Sequence, residues 1–372
     1  MVIQQTIRQL YYFKNKLKKT KIVTVYIGGG TPSCIDRNIL KMMLKSLYSL
    51  YSPQEYTIEV NPETLDEEFL YLCNKYGVSR LSLGIQCLNN TFLNLLKRKC
   101  SNENIKKSIF LLKKYWQGDL NIDLLTGIPG QNKKNLENDI CYILENFSPT
   151  HISLYSLTIE KGTQLYMRVR NKSVILPSFN DQDKLWMDGY RLLEKMGFKN
   201  YEISNFAKPG KECKHNICYW HLNPYLGIGP GAVSTLPDRE GGVLRLHNQE
   251  NIDYFLSGKK NMWQINKKNI SINDFLFENI MMGFRLKKGI HKKEFERRFG
   301  ITIPDLFPYI WDSWKTKKWV KNNDKYYVLS QKARFLLNAL LIELKEVLDS
   351  KSSLDLSLDW ISSINYSSKY LK

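Results

Sequence analysis

Five stretches of this 372-residue chain each end in residues suited to holding a polar ligand. The first is Ile22-Val23-Thr24-Val25-Tyr26-Ile27 running into Gly28-Gly29-Gly30-Thr31-Pro32-Ser33. Glycine lets backbone amides and carbonyls approach a ligand closely, and proline then restricts the exit of the chain. A tight structural turn would use the same residues. The later stretches carry Glu59 and Asn61, then Gln86, then Asp123 ahead of Gly127-Ile128-Pro129-Gly130, and finally Tyr155 and Thr158. Carboxylates accept from hydroxyls and balance positive charge, while a carboxamide both donates and accepts. A guanidinium such as that of Arg98 can clamp a carboxylate through two parallel N–H bonds. Each residue also has a plainer role available. Glu59 could pair with a buried partner, Gln86 or Asp123 could tie down a loop, and Arg98 could be solvated within Lys97-Arg98-Lys99.

The elements that must position these residues follow from the hydrophobic pattern. Strands are expected over 22–27, 56–60, 80–85, 119–124 and 151–156. Helical periodicity lies between them, over 36–50, 65–76, 102–116 and 134–147. This alternation gives parallel βαβ units, so functional residues belong at the C-terminal strand ends. Polar residues at five successive strand ends converge on a site; a polar core network is the alternative. Further on, a helix over 181–196 precedes an irregular, aromatic stretch from Tyr201 to about Ser234. Helices over 274–285, 292–299, 306–316 and 331–348, with a hairpin over 319–329, form a small winged-helix-like domain. The expected division is 1–236, a connecting segment 237–273, a C-terminal domain 274–348 and a serine-rich tail 349–372. Residues 1–21 read as a helix already under way, which suggests that a segment belongs upstream.

Composition narrows the class. The chain is 43% hydrophobic, enough for a substantial core, and has no run long enough for a membrane span. Seven scattered cysteines point to a reducing cytoplasm rather than a disulfide framework. The net charge of +19 comes mainly from dispersed lysines. No arginine-rich or aromatic-interleaved stripe accompanies it, and 292–299 mixes acids with bases, so nucleic-acid binding through the winged domain is disfavoured.

Together the glycine motif, Glu59-Val60-Asn61-Pro62, Gly84-Ile85-Gln86, Asp123 through Pro129 and Leu226-Gly227-Ile228-Gly229 form an ordered set. The set resembles the radical S-adenosylmethionine (SAM) enzymes of the oxygen-independent coproporphyrinogen III oxidase group. That resemblance implies an α/β fold, a partial (β/α) radical-SAM barrel missing its first strand. It also implies that Gly29, Gly30, Thr31, Glu59, Gln86, Arg98 and Asp123 hold SAM. The run His215-Asn216-Ile217-Cys218-Tyr219-Trp220 is similar to the signature of the heme-chaperone (HemW-type) branch. By that resemblance His215 becomes a candidate axial ligand to heme iron, and heme-accepting proteins become candidate partners. A packed histidine is the plainer reading. The runner-up activity is coproporphyrinogen III dehydrogenation in porphyrin biosynthesis.

One expected part is missing. The group holds a [4Fe–4S] cluster through three cysteines spaced C-x3-C-x2-C ahead of the glycine motif. Here the first cysteine is Cys34, and no trio among Cys34, Cys73, Cys87, Cys100, Cys141, Cys213 and Cys218 has that spacing. Whether the protein is an enzyme therefore stays open at the level of sequence.

Overall fold

Period-two alternation of polar and apolar residues builds the central sheet, because successive strand side chains point to opposite faces. Its strands are β1 (Thr24–Ile27), β2 (Glu55–Val60), β3 (Arg80–Gln86), β4 (Asp119–Thr126), β5 (His151–Ser156), β6 (Lys199–Asn200) and β7 (Asn205–Ala207). On one face Ile58, Leu81, Leu83, Ile85, Ile122, Ile152 and Leu154 are wholly buried. Each contributes about 1.5–3 kcal/mol by leaving water. The other face carries Tyr26, Thr57, Glu59, Ser82, Asn121, Asp123, His151 and Ser153. A parallel sheet covered by helices on both sides reads as continuous apolar strands. Alternation marks a sheet whose second face is a polar interior.

This computed structural model describes residues 1–16, 21–238, 241–257, 265–350, 358 and 360. It comprises two compact units, Thr20–His215 and Met1–Lys19 together with Asn216–Lys372. In the first unit the sheet order is β1-β2-β3-β4-β5-β7-β6. The first five strands are parallel and neighbour one another in chain order, as in a barrel wall. β7 then pairs antiparallel with β5 and ends the parallel run. The connecting helices begin where the sequence supplies caps. Asp36, Asp66, Asn89, Ser101, Asn132 and Ser178 each accept a backbone N–H of the first turn. The helix Phe179–Lys195 approaches β5 closely: a Cβ at Gly189 would stand 2.8 Å from Leu154 Cδ2.

The second unit opens with the helix Val2–Lys16, where Gln9 Oε1 accepts the Gly229 N–H at 2.8 Å. It holds an antiparallel sheet of β8 (Val233–Pro237), β9 (Val243–His247) and β10 (Asn266–Ile270) in the order β10-β9-β8. The helices Ile272–Gly283, Lys292–Phe299 and Pro308–Thr316 enclose Phe275, Phe284, Phe295, Phe299 and Trp314. The expected hairpin forms from β12 (Val320–Lys321) and β13 (Tyr326–Leu329), with β11 (Ile290–His291) on the far side of β13. Asn323 Oδ1 accepts the N–H groups of Lys325 and Tyr326 and closes the turn.

Several sequence expectations need correction. The helix expected over 331–348 is two, Gln331–Phe335 and Leu337–Ser350. That over 306–316 breaks at Phe307, where Pro308 follows and cannot supply a backbone N–H to continue the first helix. The stretch 201–234 contains β7 and the helix Lys214–Trp220, so His215 lies in a helical turn rather than in irregular chain. The β8–β10 sheet was not anticipated. Of the tail, only Asp349, Ser350, Leu358 and Trp360 lie within the described residues. Trp360 is wholly buried and donates its indole N–H to the Leu222 carbonyl at 3.1 Å.

Candidate functional site

Toward the C-terminal ends of β1 to β4 lie all the candidate SAM residues except Arg98. Glu59 is a hub: Oε1 accepts the Tyr26 hydroxyl at 2.8 Å and Oε2 accepts the Gly29 N–H at 3.2 Å. Burial, with the charges of Glu59 and Asp123, raises the Tyr26 pKa, so the phenol stays protonated and donates. Gly28 is required by closeness, since a Cβ there would stand 2.8 Å from Glu59 Oε1 and from the Tyr26 ring. Gly29 and Gly30 are required by conformation, with φ of +83° and +63°. A Cβ built on either would meet no heavy atom within 4 Å, so the exposed backbone faces open space. Thr31 Oγ1 accepts from Asn61 Nδ2 at 3.4 Å.

Between Asn61 and Gln86 lies Gly84, whose absent Cβ would stand 3.0 Å from Asn61 Oδ1 and 3.1 Å from Gln86 Nε2. The β3–β4 register shifts between Gly84 and Gln86, and Gln86 has φ of 69° while buried. Such backbone in a non-glycine residue is costly and frequent at functional sites. On the next strand, Asp123 Oδ1 accepts Asn121 Nδ2 at 2.8 Å and Oδ2 accepts the Ser82 hydroxyl at 3.0 Å. Burial raises its pKa, opposed by bonds from Ser153, Asn121 and Ser82 and by the charge of Arg98. Arg98 itself is exposed, as are Lys97 and Lys99, in the turn after the helix Asn90–Leu95, where its backbone N–H donates to the Leu93 carbonyl at 2.9 Å.

A ladder that sequence reading passed over supports Asp123. His151 Nδ1 bonds Asn121 Oδ1 at 2.6 Å, and His151 Nε2 bonds the Tyr201 hydroxyl at 2.8 Å. Ser82, Asn121 and His151 are register partners on three adjacent strands. The signal was present as polar residues two apart in β3, β4 and β5.

His215 packs against the starts of β1 and β2, at the opposite end from the SAM candidates. Its Nδ1 bonds Thr24 Oγ1 at 2.9 Å, and its ring stacks on Tyr26 with centroids 4.9 Å apart. Tyr26 therefore links the imidazole to Glu59. Burial lowers the His215 pKa to about 4 against the opposing Glu55 charge, so the ring is neutral at pH 7. In the second unit Tyr219 packs on Tyr225 at 4.5 Å, and the Arg285 guanidinium lies 5.6 Å from the Trp220 ring centroid.

A glycine loop after the first of five sequential parallel strands, with acidic and amide side chains at the following ends, defines a protein of the radical SAM type. The radical SAM superfamily domain matches residues 4–141, and the HemN C-terminal domain matches residues 270–336. The chain belongs to the HemW heme chaperone family. It is 32% identical to the heme chaperone HemW of Buchnera aphidicola subsp. Schizaphis graminum, over 87% of this chain and 85% of that one. It is 29% identical to heme chaperone HemW of Escherichia coli strain K12, over 86% and 83%. The fold is shared with coproporphyrinogen III oxidase (HemN) from Escherichia coli, a radical SAM enzyme, at a TM-score of 0.74 and 17% identity. That match covers 94% of this chain and 82% of the other.

The family implies SAM and a [4Fe–4S] cluster. Open glycine backbone beside Glu59, with Gln86 and Asp123 on the following strands, fits SAM. The cysteines of this chain do not fit the cluster: none has the three-cysteine spacing, and no three or more His, Cys, Asp or Glu among the described residues are placed to hold a metal.

Proposed function

We propose that this chain is a heme-trafficking protein of the radical SAM type, with a SAM pocket at the strand ends and His215 as an axial ligand to heme iron. The observation carrying this reading is the setting of His215, within the His215–Trp220 run, stacked on Tyr26 and fixed through Nδ1 by Thr24. A neutral imidazole is the ligating form, and with Nδ1 engaged by Thr24 the iron bond would form at Nε2. Gly29, Gly30 and Thr31 would hold the aminoacyl end of SAM through the backbone. Glu59 and Asp123 would take its hydroxyls and positive charge, Gln86 would donate and accept, and Arg98 would clamp its carboxylate. Bound SAM would supply a sulfonium group. Scattered cysteines support a reducing, cytoplasmic setting, with heme-accepting proteins as recipients of the cargo.

The test is hemin titration followed by the Soret band. His215→Ala should abolish or shift the band, while His221→Ala and His247→Ala should change it little. A spectrum characteristic of thiolate would assign the ligand to Cys218 instead. If His215→Ala binds hemin with the wild-type spectrum and affinity, the ligand assignment fails.

A further inference from the structure

The carboxylate of Glu55, at the opposite end of β2 from the SAM residues, is buried and gathers four donors. Oε1 accepts the backbone N–H of His215 at 2.9 Å and the Cys213 thiol at 3.3 Å. Oε2 accepts the backbone N–H of Lys214 at 3.0 Å and Arg80 Nε at 3.2 Å. Lys214 and His215 are the first two residues of the helix Lys214–Trp220. Their N–H groups belong to a first turn that has no intrahelical acceptors. Glu55 therefore supplies from a strand 160 residues earlier the acceptor that a capping side chain usually provides.

Arg80 completes the anchor. Its Nη2 donates to the Lys211 carbonyl at 3.1 Å and lies 3.8 Å from Asp119 Oδ2. Asp119 Oδ1 in turn pairs with Lys211 Nζ at 2.8 Å. Glu55 and Arg80 are 5% and 3% exposed, so the buried Glu55 charge depends on Arg80 for compensation. The His215 backbone is thus fixed by Glu55, while its ring is fixed by Thr24 and Tyr26.

We infer that Glu55, held by Arg80, is the positioning residue for His215: it pins the start of the helix so that the imidazole meets Tyr26 and Thr24 in one orientation. The helical setting of His215 follows from this long-range cap, which local sequence does not contain. The role of His215 toward heme rests on the proposed function; its positioning by Glu55 does not.

The experiment uses the full chain labelled with 15N-histidine, its His215 resonances assigned by their loss in His215→Ala, followed by hemin titration of each variant. Glu55→Ala should move the His215 amide and ring resonances of the apo protein and weaken hemin binding about fivefold, the size of one lost cap. Glu55→Gln, which keeps one acceptor oxygen, should restore most of both. Should Glu55→Ala fail to fold because it strands Arg80, Glu55→Leu with Arg80→Met removes both charges together and takes its place. A folded variant lacking the carboxylate, with wild-type His215 resonances and wild-type hemin affinity, would overturn the inference. If the wild-type chain binds no hemin, the heme reading falls while the resonances still decide whether Glu55 positions His215.

Discussion

Asp123 sits where two opposing influences on a carboxylate meet. Burial disfavours its charge, while Ser82, Asn121, Ser153 and Arg98 favour it. A ligand bringing a positive group or a hydroxyl would add to the second set. Asp123→Ala should therefore weaken SAM binding by about tenfold or more, the order of one charge-assisted hydrogen bond. Glu59→Ala should act similarly, because it also releases Tyr26 and the Gly29 N–H. Isothermal titration calorimetry on folded variants measures both. Tight SAM binding unchanged by either substitution would remove these carboxylates from the pocket. The two residues were legible in the sequence because each stands at or near the end of a β-rich run. Tyr26, Asn121 and His151 were not, since each reads alone as an ordinary strand residue and gains meaning only from its register partners.

At the scale of elements, the parallel strands and their helices were readable to within about three residues, since apolar period and caps agree along that region. Elements shaped by distant partners were not. The helix bearing His215 is capped by Glu55 from another part of the chain, and short β8–β10 have no strong local signal. Burial similarly tunes Asp139, in the helix Lys133–Phe147, whose Oδ2 accepts the Leu88 N–H at 3.3 Å just after the Gln86 bend. Desolvation raises its pKa to about 6, opposed by that bond. The ordinary aspartate value is about 4, so between roughly pH 4 and 6 the folded chain binds the extra proton. Stability should fall as pH rises through that window and then level off. Asp139→Asn keeps an acceptor for Leu88 without the buried charge. It should stabilise the chain by roughly 1–3 kcal/mol at pH 8 and by almost nothing below about pH 4. Denaturant midpoints at the two pH values check this; equal shifts at both would contradict a charge effect.

For the whole molecule the distribution of sulfur decides what redox chemistry the chain can host. Three thiolates converging on one iron cluster need deprotonation and a shared, accessible loop. Cys73, Cys87, Cys100 and Cys213 are buried. Burial pushes the Cys87 and Cys100 thiols up to about 12, and the Cys73 thiol up as well. Cys213 donates to Glu55, and Cys34 is the one exposed cysteine. The four buried thiols serve packing rather than ligation, which leaves too few for a cluster at the family's spacing. Residues 1–372, reconstituted anaerobically with iron and sulfide, should gain no stoichiometric cluster absorption and release no 5′-deoxyadenosine from SAM. The same preparation should still bind hemin through His215, because that site draws on Thr24, Tyr26 and Glu55 rather than on any cysteine ligand. A stoichiometric cluster that survives gel filtration would show that cysteines of this chain assemble in a way their burial argues against. Hemin binding lost together with such a cluster would show that the proposed heme site depends on cysteine ligation.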